Sequence, residues 1–209
     1  LTNSTSAWGL DIDSTGTLWI AGTNSGTLYS YNPAFRKLVN HGHVLSGTND
    51  TSIQDIVVND RYVYGVTAYG ANLFKYNKQT KKREFILPTQ KNKQYAKSVV
   101  VDKDNKYVYV SSGATAELVQ WNLSNNVKTS ILPVQYKNET YIEKMKLIDN
   151  RYLFTKLYPS EKAGVYDLSK KKLIKEFNSA SRGFSGKNEQ TNEVFYRYEG
   201  FLYEYNVKT

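Results

Sequence analysis

The stretch GTLYSYN at residues 26–32 recurs in near-copy form, as ANLFKYN at 71–77, AELVQWN at 116–122 and GFLYEYN at 200–206. The polar residue that closes each unit repeats at steps of 45, 45, 45 and 39 residues: Asn32, Asn77, Asn122, Asp167 and Asn206. A second, apolar series keeps steps of 45, 45, 45 and 41 residues: Leu18, Val63, Val108, Leu153 and Val194. Two independent markers with one period identify a repeat protein.

Within each repeat, apolar and polar residues alternate, which is the period of a β-strand and not of a helix. The first unit reads WGLDID, TLWIAG, GTLYSYN and KLVNHGHV, and the next three units keep this order. Four short antiparallel strands every 45 residues specify one blade of a β-propeller. The sequence therefore predicts one all-β domain over residues 1–209 with about five blades, at approximately 7–45, 52–89, 95–133, 141–178 and 181–209.

The leucine of the repeated stretch and the residue after it point to opposite faces of the predicted third strand. Because both positions are apolar in most units, we expect both faces to pack between neighbouring blades. The leucines are Leu28, Leu73, Leu118 and Leu202. The repeated stretch is therefore interpreted as packing between blades and not as a ligand site.

The fifth unit ends without an outermost strand. Either residues 1–5 (LTNST) supply that strand and close a five-bladed ring, or the ring continues beyond Thr209 and the chain is a fragment of a larger propeller. We favour the second alternative. LTNST is a weak strand beside KLVNHGHV or REFIL, and closure of a ring is what removes exposed sheet edges.

Two stretches, GLDIDSTGTLWIAG at 9–22 and VVVDKDNKYVYVSS at 99–112, carry a family resemblance. Each joins an apolar strand to a second strand through a tight Asp-containing turn. This pattern resembles the β-propeller repeats of the NHL, YVTN and gluconolactonase-like proteins, and the resemblance covers essentially the whole chain. It implies a fold and no particular activity. The Gly-His start and Trp-Asp end of WD40 repeats are absent, so that subclass is not expected.

The composition limits the partners. The formal net charge is +9, which favours anionic partners, although a solvated lysine-rich surface gives the same number. The basic runs KKKLIK and KKR are short, so nucleic acid is not an expected partner. No apolar run approaches the roughly 20 residues of a transmembrane helix, so membrane insertion is not expected. The richness in Asn, Lys, Thr, Ser and Tyr favours an exported bacterial protein, extracellular or at the cell surface.

No catalytic or metal-binding set stands out. Cysteine is absent, and the only two histidines form the pair His41 and His43 on a predicted outer strand. Alternate residues of a strand face one side, so both imidazoles would reach one metal ion, but two ligands alone bind weakly. The stretches DIDSTG at 11–16 and DKDN at 102–105 echo calcium loops but lack the closing Glu, so we interpret them as turns. We expect no metal and no cofactor.

The candidate binding site follows from aligning the units on the turn residue after each inner strand, taken as Asp13, Asn59, Asp102 and Asp149. Five residues earlier stand four side chains expected at the start of the strands that line the central channel: Trp8, Gln54, Lys97 and Lys144. Arg182 takes the corresponding place in the fifth unit. The loops leading into these strands add Tyr95, Tyr136 and Tyr141. Aromatic faces stack on sugar rings while Lys and Arg bind carboxylates.

Two functions remain open. The first is a non-catalytic propeller that binds an anionic polysaccharide or a protein partner at these loops. The second is a propeller enzyme of the polysaccharide lyase or lactonase kind, which needs a base or a metal near the channel. Catalytic residues are not assigned, because neither histidine lies on a predicted inner strand.

Overall fold

The computed structural model describes residues 4–90 and 92–208. Residues 1–3 of the LTNST segment lie outside the described residues, so the alternative in which this segment closes the ring and the favoured one of a larger propeller both stay predictions. The first sheet is antiparallel and four-stranded, in the order β1 (Ala7–Ile12), β2 (Leu18–Gly22), β3 (Thr27–Asn32) and β4 (Lys37–His43). Each short connection brings consecutive strands side by side, as the alternating pattern predicts.

The next three units repeat this arrangement. The second contains β5 (Ser52–Val58), β6 (Tyr62–Ala68), β7 (Asn72–Asn77) and β8 (Lys82–Pro88). The third contains β9 (Tyr95–Val101), β10 (Tyr107–Gly113), β11 (Glu117–Asn122) and β12 (Val127–Ser130), and a short 3-10 turn at Val134–Tyr136 follows it. The fourth contains β13 (Tyr141–Ile148), β14 (Tyr152–Tyr158), β15 (Lys162–Asp167) and β16 (Lys172–Asn178). A backbone pairing of Ala68 with Tyr95 joins the second and third sheets at one rim.

The fifth unit differs from the other four. Its strands β17 (Glu193–Tyr198) and β18 (Phe201–Asn206) form a two-stranded hairpin. The segment at 180–185, where an inner strand was expected, is irregular and runs beside β17. The amide of Ala180 donates to the carbonyl of Arg197 (2.8 Å), and that of Ser185 to the carbonyl of Phe195 (3.2 Å). The segment still occupies the inner position, although its pairing is too broken to form a strand.

The core lies between successive units. Four apolar clusters fill the four junctions, and each draws its residues from two consecutive sheets. Leu28, Leu73 and Leu118 are fully buried in them, as expected from the repeated stretch. Leu202 is 73% exposed instead, and Phe201 beside it is also exposed. The described residues provide no further sheet to cover β18. The leucine of the repeated stretch, which is buried in the first three units, is therefore exposed in the fifth.

The inner strands β1, β5, β9 and β13 lie next to one another in chain order and form the wall of the channel. At the far end of β1, the Asp13 carboxylate organises the first turn by accepting hydrogen bonds from the amides of Thr15 (3.0 Å) and Thr17 (3.1 Å). Burial alone would raise the pKa of Asp13, but hydrogen bonds from Lys78, Thr15 and Trp19 outweigh it and hold the pKa well below its usual range. The carboxylate of Asp13 therefore stabilises the turn, in agreement with the interpretation of DIDSTG as a turn.

The described part of the chain contains no helix long and apolar enough to cross a bilayer.

Candidate binding site at the channel mouth

Each inner strand carries a β-bulge near its first residues. The pairing register shifts between Ala7 and Gly9 in β1, between Ile53 and Asp55 in β5, between Ala96 and Ser98 in β9, and between Ile142 and Lys144 in β13. A bulge inserts one unpaired residue and redirects its side chain. The four bulged residues are Trp8, Gln54, Lys97 and Glu143. All four line one cavity of about 570 Å³, together with Arg182 from the irregular segment of the fifth unit.

The position of Lys144 corrects the sequence alignment by one residue. The apolar residue that repeats every 45 residues lies on the second strand of each unit and is called the marker residue here. In the first three units this marker residue pairs with the last residue before the turn, as Val108 pairs with Val101. In the fourth unit the marker Leu153 pairs with Leu147, and β13 continues for one more pair, Ile148 with Tyr152. Asp149 therefore comes one residue too late to serve as the alignment point. The bulged residue of this unit is Glu143, and Lys144 lies one position deeper.

Lys144 still lines the cavity, but its charge is neutralised. Its ammonium group lies 2.5 Å from Oδ1 of the buried Asp55 on β5. Asp55 also accepts hydrogen bonds from the hydroxyl of Ser98 (2.7 Å) and the amide of Val99 (3.2 Å), both on β9. The Ser98 hydroxyl in turn accepts from the amide of Met145 on β13 (3.0 Å). Asp55 and Ser98 thus tie three inner strands together beneath the cavity, and Lys144 belongs to this network.

Lys97, unlike Lys144, forms no ion pair within the described residues. Its ammonium group lies 4.7 Å from the centre of the Tyr141 ring and 5.3 Å from that of Tyr95. No hydrogen bond or ion pair reaches it from the residues that the structure describes. Burial lowers the pKa of Lys97, and the negative charge of nearby Glu143 opposes this shift. A partly desolvated cation between two aromatic faces is well placed to receive an anion.

The tyrosines expected near the site divide into two groups. Tyr95 and Tyr141 lie in a row of rings at the channel mouth, with Tyr69 beside Tyr95 (5.5 Å) and Tyr158 beside Tyr141 (6.2 Å between centres). Tyr136 is different, and the expectation that it contacts a ligand is wrong. It is buried in the cluster between the third and fourth sheets, because the 3-10 turn that ends with it folds the ring inward against Gly164. Sequence spacing alone does not reveal this inward turn.

The histidine pair does not share a face. Gly42 has a φ of +84°, and two residues of β4, His41 and Gly42, lie opposite the single residue Leu28 of β3. This bulge breaks the alternation on which a shared face depends. Nε2 of His41 lies 2.8 Å from the hydroxyl of Ser30, and its ring stacks on Trp19 at 4.8 Å. Nδ1 of His43 lies 2.6 Å from the carbonyl oxygen of Ser25 instead. No group of three His, Asp or Glu residues able to hold a metal occurs within 4–90 and 92–208.

His41 makes folding stability sensitive to acid. Burial, and secondarily the charge of Lys81, lowers its pKa to about 4, against an ordinary value of 6.5. Between these values the unfolded chain binds a proton that the folded protein excludes, so stability falls as the pH drops through this window. We expect wild-type protein to lose about 1–2 kcal/mol more than His41→Gln between pH 7 and pH 5, measured by urea denaturation. His43→Gln is the control, and a wild-type loss equal to that of His41→Gln would contradict the prediction.

No protein-family model and no curated protein sequence matches this chain. Solved structures do. An inactive variant of virginiamycin B lyase from Staphylococcus aureus, crystallised with quinupristin, matches with a TM-score of 0.69 and 11% identity, over 100% of this chain and 72% of that one. Hydrazine synthase from Kuenenia stuttgartiensis matches with a TM-score of 0.75 and 9% identity, over 95% of this chain and 71% of that one.

The extracellular domain of a one component system from B. thetaiotaomicron matches with a TM-score of 0.65 and 18% identity, over 94% of this chain and 27% of that one. At such identities the similarity shows the fold, which is a β-propeller of four-stranded antiparallel sheets. The resemblance to NHL, YVTN and gluconolactonase-like repeats stays a prediction, as does the number of blades.

Proposed function

We propose that the protein is a non-catalytic binding propeller whose channel mouth binds an anionic polysaccharide through a uronic acid ring. The observation that carries this proposal is the cavity lined by the four bulged residues and Arg182. At its wall, Lys97 is partly desolvated between two tyrosine rings and forms no ion pair among the described residues, and the negative charge of Glu143 offsets its burial only in part. A carboxylate placed there restores the electrostatic stabilisation that burial takes from the ammonium group.

The rest of the cavity suits a sugar acid. Arg182 is exposed at the same mouth and provides a second cation for the carboxylate. Glu143 carries a negative charge there and accepts hydrogen bonds from sugar hydroxyl groups. Trp8 presents an exposed indole ring on which an apolar sugar face stacks. Apart from the paired Asp55 and Lys144, this mixture of one carboxylate, two cations and an aromatic ring fits a hydroxylated acid better than a purely inorganic anion.

The proposal places the protein outside the cell, as part of an exported bacterial protein. The composition supports this, and so does the likeness to a domain described as extracellular. The proposal also includes further propeller structure against β18, because Leu202 exposes an apolar side chain that the corresponding leucines of the first three units bury. A protein partner at the channel mouth is the alternative to a polysaccharide.

The second candidate function is a lyase or lactonase, and one observation favours it. The lowered pKa of Lys97, caused by burial, increases the fraction of neutral amine that acts as a general base, and Tyr141 lies beside it. The matched structures include a lyase. Turnover of polygalacturonate or of a sugar lactone by the protein, abolished by Lys97→Met, would establish this function and reject a purely binding role.

Binding depends on Lys97 and Arg182 if the proposal is correct. We expect Lys97→Met and Arg182→Met each to weaken binding of a hyaluronan tetrasaccharide by roughly ten- to a hundredfold, because a charge-assisted hydrogen bond contributes about 1.5–3 kcal/mol. Isothermal titration calorimetry at two salt concentrations measures this. Lys82→Met is the matched control, because Lys82 is exposed at the start of the outer strand β8. Equal losses from Lys82→Met and Lys97→Met would mean that the net charge acts only diffusely.

A further inference from the structure

A second cavity adjoins the first. Its volume is about 290 Å³, and three residues, Trp8, Gln54 and Lys97, line both cavities. The second cavity extends toward the rim of the first two units, where Tyr69 and Thr23 contribute to its lining. Two cavities with a common wall hold two neighbouring groups of one ligand more readily than two separate ligands.

The lining of the second cavity is aromatic and polar but almost uncharged. Tyr69 is 57% exposed and packs edge-on against Tyr95, so one face of its ring is open to a ligand. The remaining lining consists of hydroxyl and amide side chains, among them Ser6, Asn24 and Ser52. Lys97, on the shared wall, is the one charged residue among the described residues that line this cavity. Aromatic faces together with neutral hydrogen-bonding groups suit a neutral sugar ring.

Two polar groups at this cavity lack protein partners. Gln54 is only 9% exposed, and its carboxamide makes no hydrogen bond to any residue in the described ranges but stays open to the cavity. The hydroxyl of Thr23 is fully buried and likewise has no partner there. Buried polar groups in folded proteins are nearly always hydrogen-bonded to protein or water, so the Thr23 hydroxyl and the open Gln54 carboxamide together indicate a place for ligand or solvent oxygens. Gln54 reaches both cavities and is therefore suited to bind at the linkage between two rings.

We propose that the second cavity binds a neutral sugar linked to the uronic acid held in the first, so that the ligand is a glycan with acidic and neutral residues in alternation. This inference rests on the proposed function. It separates such glycans from polyuronates, in which every ring is charged. A second carboxylate in the neutral cavity would be desolvated with no cation of its own, because Lys97 is already bound to the first.

The test compares glucuronic acid, digalacturonic acid and a disaccharide of glucuronic acid with a neutral hexose. We expect the mixed disaccharide to bind at least about tenfold more tightly than either of the other two, measured by calorimetry. Tyr69→Ala should remove this gain and leave the affinity for glucuronic acid unchanged. Tyr158→Ala is the matched control, because Tyr158 is also exposed at the end of the tyrosine row but does not line the second cavity.

The outcomes separate the two proposals. If glucuronic acid binds in a Lys97-dependent way but the neutral ring adds nothing, the second site is rejected and the proposed function stands. If digalacturonic acid binds as tightly as the mixed disaccharide, the preference for a neutral ring is rejected. If none of the three probes binds, both proposals fail. Equal effects of Tyr69→Ala and Tyr158→Ala would also overturn the assignment of the second cavity.

Discussion

Asp55→Ala is expected to destabilise the protein by about 3–5 kcal/mol, because it leaves several buried hydrogen-bond donors without an acceptor and each such donor costs about 1–3 kcal/mol. The carboxylate accepts four hydrogen bonds, and three of the donors lie on the inner strands β5 and β9 (the amides of Ile56 and Val99 and the hydroxyl of Ser98). Alanine leaves these donors buried without an acceptor and leaves Lys144 without its counter-ion. Urea denaturation monitored by circular dichroism measures the loss.

Two further variants make this result specific. Asp55→Asn retains an acceptor oxygen but not the charge, so it should lose less stability than the alanine variant. Asp104→Ala removes an exposed aspartate on a turn and should change stability by no more than about 0.5 kcal/mol. If Asp55→Ala loses less than about 1 kcal/mol, the proposed tie between inner strands does not contribute to stability.

Gly164→Ala should destabilise the protein by about 2–3 kcal/mol through steric overlap. A Cβ atom at this position would lie 1.8 Å from the hydroxyl oxygen of Tyr136 and 2.9 Å from its ring carbon Cζ. The side chain of Tyr136 is fully buried between the third and fourth sheets. The glycine on β15 is therefore what allows this tyrosine to enter the core.

A double-mutant cycle tests the contact itself. Tyr136→Phe removes the oxygen that overlaps most, so the combination with Gly164→Ala should be less destabilising than the sum of the single changes. Gly186→Ala is the control, because a Cβ there meets no atom within 4 Å. Strict additivity of the two changes, measured by urea denaturation, would show that the loss at Gly164 has another origin.

The repeat period made most of the fold predictable. A fixed step of 45 residues with alternating polarity specifies four strands per unit, and it correctly predicted which leucines of the third strands are buried in the first three units. The fifth unit was harder, because the segment of Arg182 takes the place of an inner strand but lacks the alternating apolar residues of the other inner strands, and its backbone pairing is irregular.

The grouping of most candidate residues around one cavity was predictable in outline for the same reason. Trp8, Gln54, Lys97 and Arg182 line one cavity because equivalent positions of a repeat occupy equivalent places around a channel. Glu143 was missed because one extra residue pair in the fourth hairpin shifts the alignment. No clear signal of this shift was present in the sequence, because the turn residues Asp13, Asn59, Asp102 and Asp149 are spaced by 46, 43 and 47 residues and none of these steps keeps the 45-residue period. The pairing of Lys144 with Asp55 depends on contacts between units and has no signal in the sequence either.

The bulges at the channel mouth affect how substitutions could alter the proposed ligand specificity. A bulged residue is excluded from the backbone ladder, so its side chain is not needed to hold the strands together. The four positions 8, 54, 97 and 143 already carry an indole, an amide, an amine and a carboxylate on nearly identical backbones. The side chains at the channel mouth can therefore differ chemically without weakening the pairing of the strands. A relative with the same propeller fold would bind a different ligand after substitutions at these four positions, and its strands would still pair in the same way.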